Sequence, residues 1–204
     1  MKFKTAAILL AMTASVPALA ETAGGPSVDL AKLEGGAFVL DKGHARLIFS
    51  FNHFGYSTSY GFFPSLEGKL KFDPKTVASS EVEVTVDLAG LDTTVPKLDE
   101  HMKSEGFFDV AKFPKAVFKS NKITVTGPTT GTISGDLTLH GVTKPVTLTA
   151  SFNGGGINPV SKAYVLGFNA TGHITRSEFG LGLYAPAVSD DVLLTISAEF
   201  DKAP

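Results

Sequence analysis

The stretch Val192-Leu193-Leu194-Thr195-Ile196-Ser197-Ala198-Glu199-Phe200 puts Val192, Leu194, Ile196, Ala198 and Phe200 on one side of an extended chain, and Thr195, Ser197 and Glu199 on the other. Successive side chains of a strand point to opposite faces, so this pattern is a strand with one face buried and one in water. The same period recurs upstream. In Glu81–Leu88, Val82, Val84, Val86 and Leu88 oppose Glu81, Glu83, Thr85 and Asp87. Leu47, Phe49 and Phe51 alternate with Ile48, Ser50 and Asn52, and Ile133, Gly135, Leu137 and Leu139 with polar neighbours. Val146, Leu148, Ala150 and Phe152 form a further face, and so does the longer run of Tyr164, Leu166, Phe168, Ala170, Gly172 and Ile174. Strands are also expected near 60–73 and 115–126. About eight strands, each apolar on one side, must close into a barrel or fold into a sandwich.

One segment leaves the pattern. Val95, Leu98 and Met102 recur at helical spacing, Asp92-Thr93-Thr94 offers an N-cap, Pro96 suits a first turn, and Gly106 is a natural stop. Asp99 and Lys103 are placed as an i,i+4 pair. A short amphipathic helix is therefore expected near 95–105. The glycines Gly154-Gly155-Gly156, running on to Lys162, read as a hairpin connection.

Composition narrows the functional classes. Of 204 residues, 43% are hydrophobic and 19% charged, which suits a packed globular chain. There is no cysteine, which excludes disulfides, thiolate chemistry and cysteine-type metal sites. The net charge of −2, with no basic block, excludes the stripe a nucleic-acid binder needs. Lys2 and Lys4, the apolar run Ala6–Ala14 and Pro17-Ala18-Leu19-Ala20 have the order of a cleaved signal peptide over residues 1–20. The apolar run is too short to span a bilayer. Residues 21–36 read as a loose lead-in and 37–204 as the folded domain. The expected destination, for a bacterial source, is the periplasm.

No nucleophile elbow, phosphate loop or dinucleotide fingerprint is present, and no cofactor is implied. The five histidines, His44, His53, His101, His140 and His173, have no metal-ligand spacing. His44 and His140 are placed at strand ends and His101 on the helix surface. The enzymatic alternative is a barrel hydrolase or isomerase using His53 and a carboxylate. A membrane-spanning barrel shares the alternation, but zero Trp, four Tyr and a mid-chain helix argue against the aromatic girdles of that class. The 16 Phe carry more information. They spread over most elements and can either fill a core or line the wall of a barrel that holds one ligand. Strand parity names Phe49, Phe51, Val84, Val86, Phe118, Leu137, Phe168 and Ile196 as wall candidates. Met102, Phe107, Phe108 and Phe113 are assigned to a helical lid or its seat. Counting by two from Ile174 puts Arg176 among apolar residues, where a guanidinium needs a partner. A protein carboxylate (Asp136, Glu178 or Asp190) is favoured over a ligand head group.

Four stretches in order along the chain resemble the YceI-like family of exported lipid-binding proteins. They are His44–Gly55 with Gly61-Phe62-Phe63; Leu91-Asp92-Thr93 with Asp99–Val110, Phe113-Pro114 and Phe118-Lys119-Ser120; Gly135–Val146; and Thr175–Gly180. Ala45 stands where a hydroxyl residue is usual, and Gly106 where an acidic one is. The resemblance implies a closed antiparallel eight-stranded lipocalin-like barrel with a helical insertion. It also implies an apolar tunnel for a polyisoprenoid chain, such as an isoprenoid quinone or polyprenyl phosphate, bound without covalent chemistry. Whether the protein forms a homodimer is left open.

Overall fold

The computed structural model describes residues 25–204, so the expected signal peptide lies outside the described residues. Among the described residues ten strands follow one another: β1 (Gly36–Leu40), β2 (Arg46–His53), β3 (Ser57–Phe63), β4 (Leu66–Phe72), β5 (Glu81–Asp87), β6 (Lys115–Val125), β7 (Thr130–Leu139), β8 (Val142–Ile157), β9 (Tyr164–Thr175) and β10 (Asp191–Lys202). All pairings are antiparallel. One helix, α1 (Pro96–Lys103), lies in the crossing from β5 to β6.

The ten strands make an eight-staved closed barrel. β1 pairs with β10 at Leu40↔Phe200, and β2 takes over the same edge from Arg46↔Ser197. Together they are one stave interrupted at residues 41–45. Similarly, β3 pairs with β2 and β4 with β1, forming a second stave broken at Pro64-Ser65. Proline has no N–H for the ladder, which is why the strand expected over 60–73 divides there. Above the break, Phe62 exchanges two backbone hydrogen bonds with Asp92 (2.8 and 3.0 Å), so the segment after β5 continues the seam. The circuit closes when β1 meets both β4 and β10. Closure leaves no open sheet edge around that ring.

The alternation read in β2, β5, β7, β8, β9 and β10 points inward as expected. The outer surface carries the charged positions, with the cross-strand ion pairs Lys71–Glu81 and Lys119–Glu83 at 3.7 Å. An apolar inside and a charged outside reverse the arrangement of a barrel that faces lipid. Two bulges correct simple parity counting. In β6 the register shifts between Ser120 and Lys122, so Ala116 and Phe118 point in below the shift and Ile123 points in above it, with the exposed Val125 at the end of the chamber wall. In β8 it shifts between Phe152 and Gly154. The glycines expected to form a loop are therefore strand residues. A Cβ on Gly155 would stand 2.5 Å from a Leu166 methyl and 3.0 Å from a Leu33 methyl, so the glycine leaves room for these two leucines rather than forming a turn. The connection itself is Asn158–Ala163, closed by Asn158 N–H to Ala163 O at 2.8 Å.

α1 starts one step later than the hydroxyl cap suggested. Val95 occupies the cap position without a side-chain bond, and Pro96 opens the helix. The Asp99 carboxylate turns back to accept from Thr93 N–H (2.7 Å) and Thr93 Oγ (2.5 Å), which holds its pKa below the usual carboxylate range. Asp99 is thus spent on Thr93 rather than on an ion pair with Lys103. The helix stops at Lys103, where Ser104 Oγ donates to His101 O (2.6 Å), before Gly106.

The interruption at 41–45 is held by an exposed pair, His44 Nδ1 to Asp41 Oδ2 at 2.7 Å. The hydrogen bond raises the pKa of His44 and, with help from Gly43 N–H, lowers that of Asp41. The signs define a window. Asp41's contribution is present above its unfolded pKa and fades as pH falls through its depressed folded value. That of His44 is present below its unfolded pKa and fades as pH rises through its elevated folded value. NMR titration should therefore find His44 titrating above an ordinary histidine. Asp41→Asn should return it to the ordinary range, and an unchanged His44 in that variant would mean the pair does not form.

Candidate functional site: a two-chamber apolar cavity

The inward side chains do not fill the barrel. One chamber of about 240 Å³ lies toward the end marked by the β4–β5, β6–β7 and β8–β9 turns. Val82, Val84, Phe118, Phe152, Phe168 and Ile196 form much of its wall. A second chamber of about 610 Å³, within the size range of small-molecule sites, lies toward the end where α1 and the β9–β10 connection sit. Phe49, Phe51, Phe63, Leu98, Met102 and Phe108 are among its lining residues. Leu47, Val86, Leu137 and Leu194 line both chambers and make a waist between them. Each chamber is built from one end of the same strands, so together they run along the barrel axis.

Local sequence explains the walls. Gly61 faces the Phe49 ring so closely that a Cβ would lie 2.2 Å from it. The missing side chain lets Phe49 lie flat across β3, 5.5 Å from the Phe63 ring. Phe108 meets Phe63 edge-on at 5.8 Å and seats the segment after α1 on the barrel. In the smaller chamber Phe168 packs between Phe152 (5.2 Å) and Phe200 (6.0 Å). Leu30, in the short turn Leu30–Lys32, reaches the same chamber from the lead-in. Ser27 pairs with Gly155 and Leu33 is buried.

The residues named from sequence divide cleanly. Val84, Phe118, Phe168 and Ile196 line the small chamber; Phe49, Phe51, Met102, Phe107, Phe108 and Arg176 line the large one; Val86 and Leu137 stand at the waist. Phe113 lines neither. It stacks edge-on against His140 at 4.6 Å and fills the space beneath Gly141, supporting the β7–β8 turn. Sequence reasoning missed Phe63, Leu98, His101 and Tyr184. Phe63 was hidden by the break at Pro64. Leu98 had a signal, since it shares the α1 face with Met102.

Arg176 is buried as expected, but not beside a carboxylate. It sits in the short helical turn Arg176–Phe179, and its guanidinium donates to four backbone carbonyls. Nε donates to Ser189 O (2.8 Å), Nη1 to Leu183 O (2.9 Å) and to Leu181 O, and Nη2 to Val188 O (2.8 Å). Burial lowers its pKa, against the opposing charge of Asp190. Asp190 itself accepts from Ser177 N–H (2.8 Å) and Ser177 Oγ (2.5 Å). Neither Asp136 nor Glu178 forms an ion pair with the guanidinium. Arg176 is a staple for the 181–189 loop, which supplies Leu181, Tyr184 and Val188 to the chamber wall.

The polar residues lining the large chamber, toward the α1 end, are His53, Ser59, His101, Arg176 and Tyr184, while the small chamber has only hydroxyl residues, Ser80, Thr124, Thr129 and Thr130, among its lining. His53 stands edge-on to Phe54 at 4.6 Å, and among the described residues no carboxylate is hydrogen-bonded to it. The histidine–carboxylate pairs that do form, His44–Asp41 and His173–Asp191, are on the outer surface. Asp41, His44 and Glu199 bring donor atoms within 4.8 Å of one another at the β1–β2 interruption. The Asp41 hydrogen bond favours protonated His44 there, which competes with any cation. Among the described residues no helix is long and apolar enough to cross a membrane.

The architecture defines a class: an up-and-down β-barrel with a ligand-sized apolar interior and a helical insertion over one end. Within that class the family can be stated. The YceI-like domain model matches residues 38–200, and the chain belongs to this family. A UPF0312 protein of Pseudomonas savastanoi pv. phaseolicola (strain 1448A / Race 6) is 40% identical over 146 residues, covering 71% of this chain and 76% of that protein. The solved YCEI protein of Campylobacter jejuni superposes with a TM-score of 0.67 at 27% identity, covering 75% of this chain and 90% of that one. A polyisoprenoid binding domain from Saccharophagus degradans shares the fold, with a TM-score of 0.60 at 13% identity over 83% of this chain and 100% of that one.

Proposed function

We propose that the protein is an exported, periplasmic carrier that binds one polyisoprenoid-type amphiphile in its barrel and returns it chemically unchanged. The observation that carries this reading is that two apolar chambers adjoin end to end along the barrel and share Leu47, Val86, Leu137 and Leu194 in their walls. A compact apolar ligand would need one chamber; two in line suit a long, flexible chain. Burial of each CH₂ contributes about 0.8 kcal/mol, part of which is offset by lost chain freedom. The imidazoles of His53 and His101 and the phenol of Tyr184 at the α1 end suit a head group there, with the tail reaching the Phe152–Phe168–Phe200 cluster. The family membership and the Saccharophagus domain described as polyisoprenoid-binding support the ligand class. The Lys2–Ala20 leader pattern supports export.

Native mass spectrometry of protein recovered from the periplasm, with extraction of the bound molecule, tests the reading. The expected result is a chain beginning at Glu21 that carries one isoprenoid amphiphile of unaltered structure. A protein that is empty after exposure to isoprenoid quinones and polyprenyl phosphates, or a ligand returned as a cleaved product, would overturn it.

A further inference from the structure

The end of the barrel that opens on the larger chamber is ringed by aromatic side chains in water. Tyr56 is 90% exposed, Tyr184 54% and Phe54 50%, with Val95 and Leu183 beside them in the neighbouring segments. Phe54 and Tyr184 also line the chamber, so the exposed ring is continuous with the cavity wall. The ring is built as a unit. Phe54 N–H donates to Ala187 O (3.0 Å) and Ser189 N–H to Asn52 O (2.9 Å), which joins the β2–β3 turn to the 181–189 loop. Tyr184 then contacts His101 (6.5 Å) and Phe107 (6.3 Å), which joins that loop to the α1 segment. Both Phe54 (φ 54°) and Tyr184 (φ 66°) hold left-handed backbone, which is uncommon for bulky residues. The fold keeps aromatic side chains outward at two positions where a glycine would be easier.

We infer that this rim docks on the surface of an uncharged phospholipid bilayer, so that a lipid passes between membrane and cavity without crossing water. The inference rests on the proposed reading of the cavity as a lipid site. Two features select the occupant. Tyrosine, with an apolar ring and a polar tip, is enriched where hydrocarbon meets water. The connections at this end, residues 88–114 and 176–190, carry more carboxylates than basic groups and no polybasic run, so attraction to an anionic surface is not the driving force. Insertion through aromatic rings is insensitive to salt, whereas electrostatic attachment is screened.

The chain contains no tryptophan, so one introduced at the rim is a sole reporter. Tyr56 is not part of the cavity wall, and its exposure makes Tyr56→Trp tolerable to the fold. With phosphatidylcholine vesicles the Tyr56→Trp protein should show blue-shifted emission, equal at low and high salt. Val160→Trp, 88% exposed in the β8–β9 turn at the opposite end, should show none. Tyr56→Ser should reduce vesicle-bound protein in flotation on the order of fivefold. Four results would overturn the inference: no shift with vesicles; an equal shift from Val160→Trp; binding confined to anionic vesicles and lost in salt; or a shift on concentrating the protein alone, which would mark the rim as a contact between copies. Uptake of an isoprenoid quinone diluted from ethanol, measured on the same proteins, separates the two readings. Uptake without vesicle docking removes the rim proposal only, and failure of uptake removes the cavity reading.

Discussion

Arg176→Met is expected to lower the stability of the barrel by about 3–5 kcal/mol, since a buried fork that serves several acceptors at once is lost and its partners are left unpaired. Four carbonyls, at Leu181, Leu183, Val188 and Ser189, receive the guanidinium. They belong to a connection that lacks a regular ladder to satisfy them. Methionine fills part of the volume and offers no donor, so these oxygens must find water or remain unpaired. At a few degrees per kcal/mol for a domain of this size, the thermal midpoint should fall by roughly 10 °C. Arg176→Lys should recover less than half of the loss, because an ammonium cannot reproduce a planar fork aimed at four points. Urea unfolding followed by circular dichroism measures both. The loop also walls the larger chamber, so hydrogen exchange of residues 181–189 should accelerate before global unfolding in either variant. A Met variant as stable as the parent would show that the staple does not hold the loop. A variant that is stable yet loses only anionic ligands would restore Arg176 as a head-group anchor.

Arg176 also shows where sequence reading ends. Its burial was legible from two-residue counting past Ile174, although the residue has already left the strand and lies in a helical turn. Its partners were not legible, because backbone carbonyls leave no mark in a sequence and any loop of suitable shape can supply them. The same division runs through the fold. Val192–Phe200 and Glu81–Leu88 declare their inner face, because water on one side and the barrel interior on the other enforce a strict period of two. The period fails where an extra residue enters, at Ser120–Lys122 and Phe152–Gly154, and composition does not mark the β6 bulge. Gly154-Gly155-Gly156 looked like a turn because glycine serves both turns and close approach, and only the positions of Leu33 and Leu166 decide between them. Phe113 was assigned to the lid from its position in a run of phenylalanines. The structure spends it on His140 instead. The inner wall was therefore readable strand by strand, while the chambers are not a property of any one strand. They arise from how far opposite staves stand apart, and closure of the ring sets that distance.

The waist supplies the prediction that isolates chain length. Leu137 lines both chambers from β7, opposite Phe118 on β6 and Lys144 on β8. Leu137→Trp would direct a large ring into the passage between them. In a filled core such overpacking costs about 1–3 kcal/mol, but here the added volume projects toward empty space, so the cost should fall at the low end of that range. The effect on binding should be larger. Excluding two isoprene units, about ten carbons, from the small chamber removes roughly 8 kcal/mol of gross apolar burial, of which only a part appears in affinity. A long polyprenyl chain should therefore bind at least about 100-fold more weakly to Leu137→Trp, with the residual affinity coming from the large chamber. A short prenyl chain that occupies the large chamber alone should bind within a few-fold of the parent. The contrast between long and short ligands is the measurement, and it does not depend on the absolute stability of the variant. Equal weakening of both would mean that the tryptophan has disturbed the large chamber. Unchanged binding of the long chain would mean that the ligand never passes the waist, and the small chamber would then be packing space rather than part of the site.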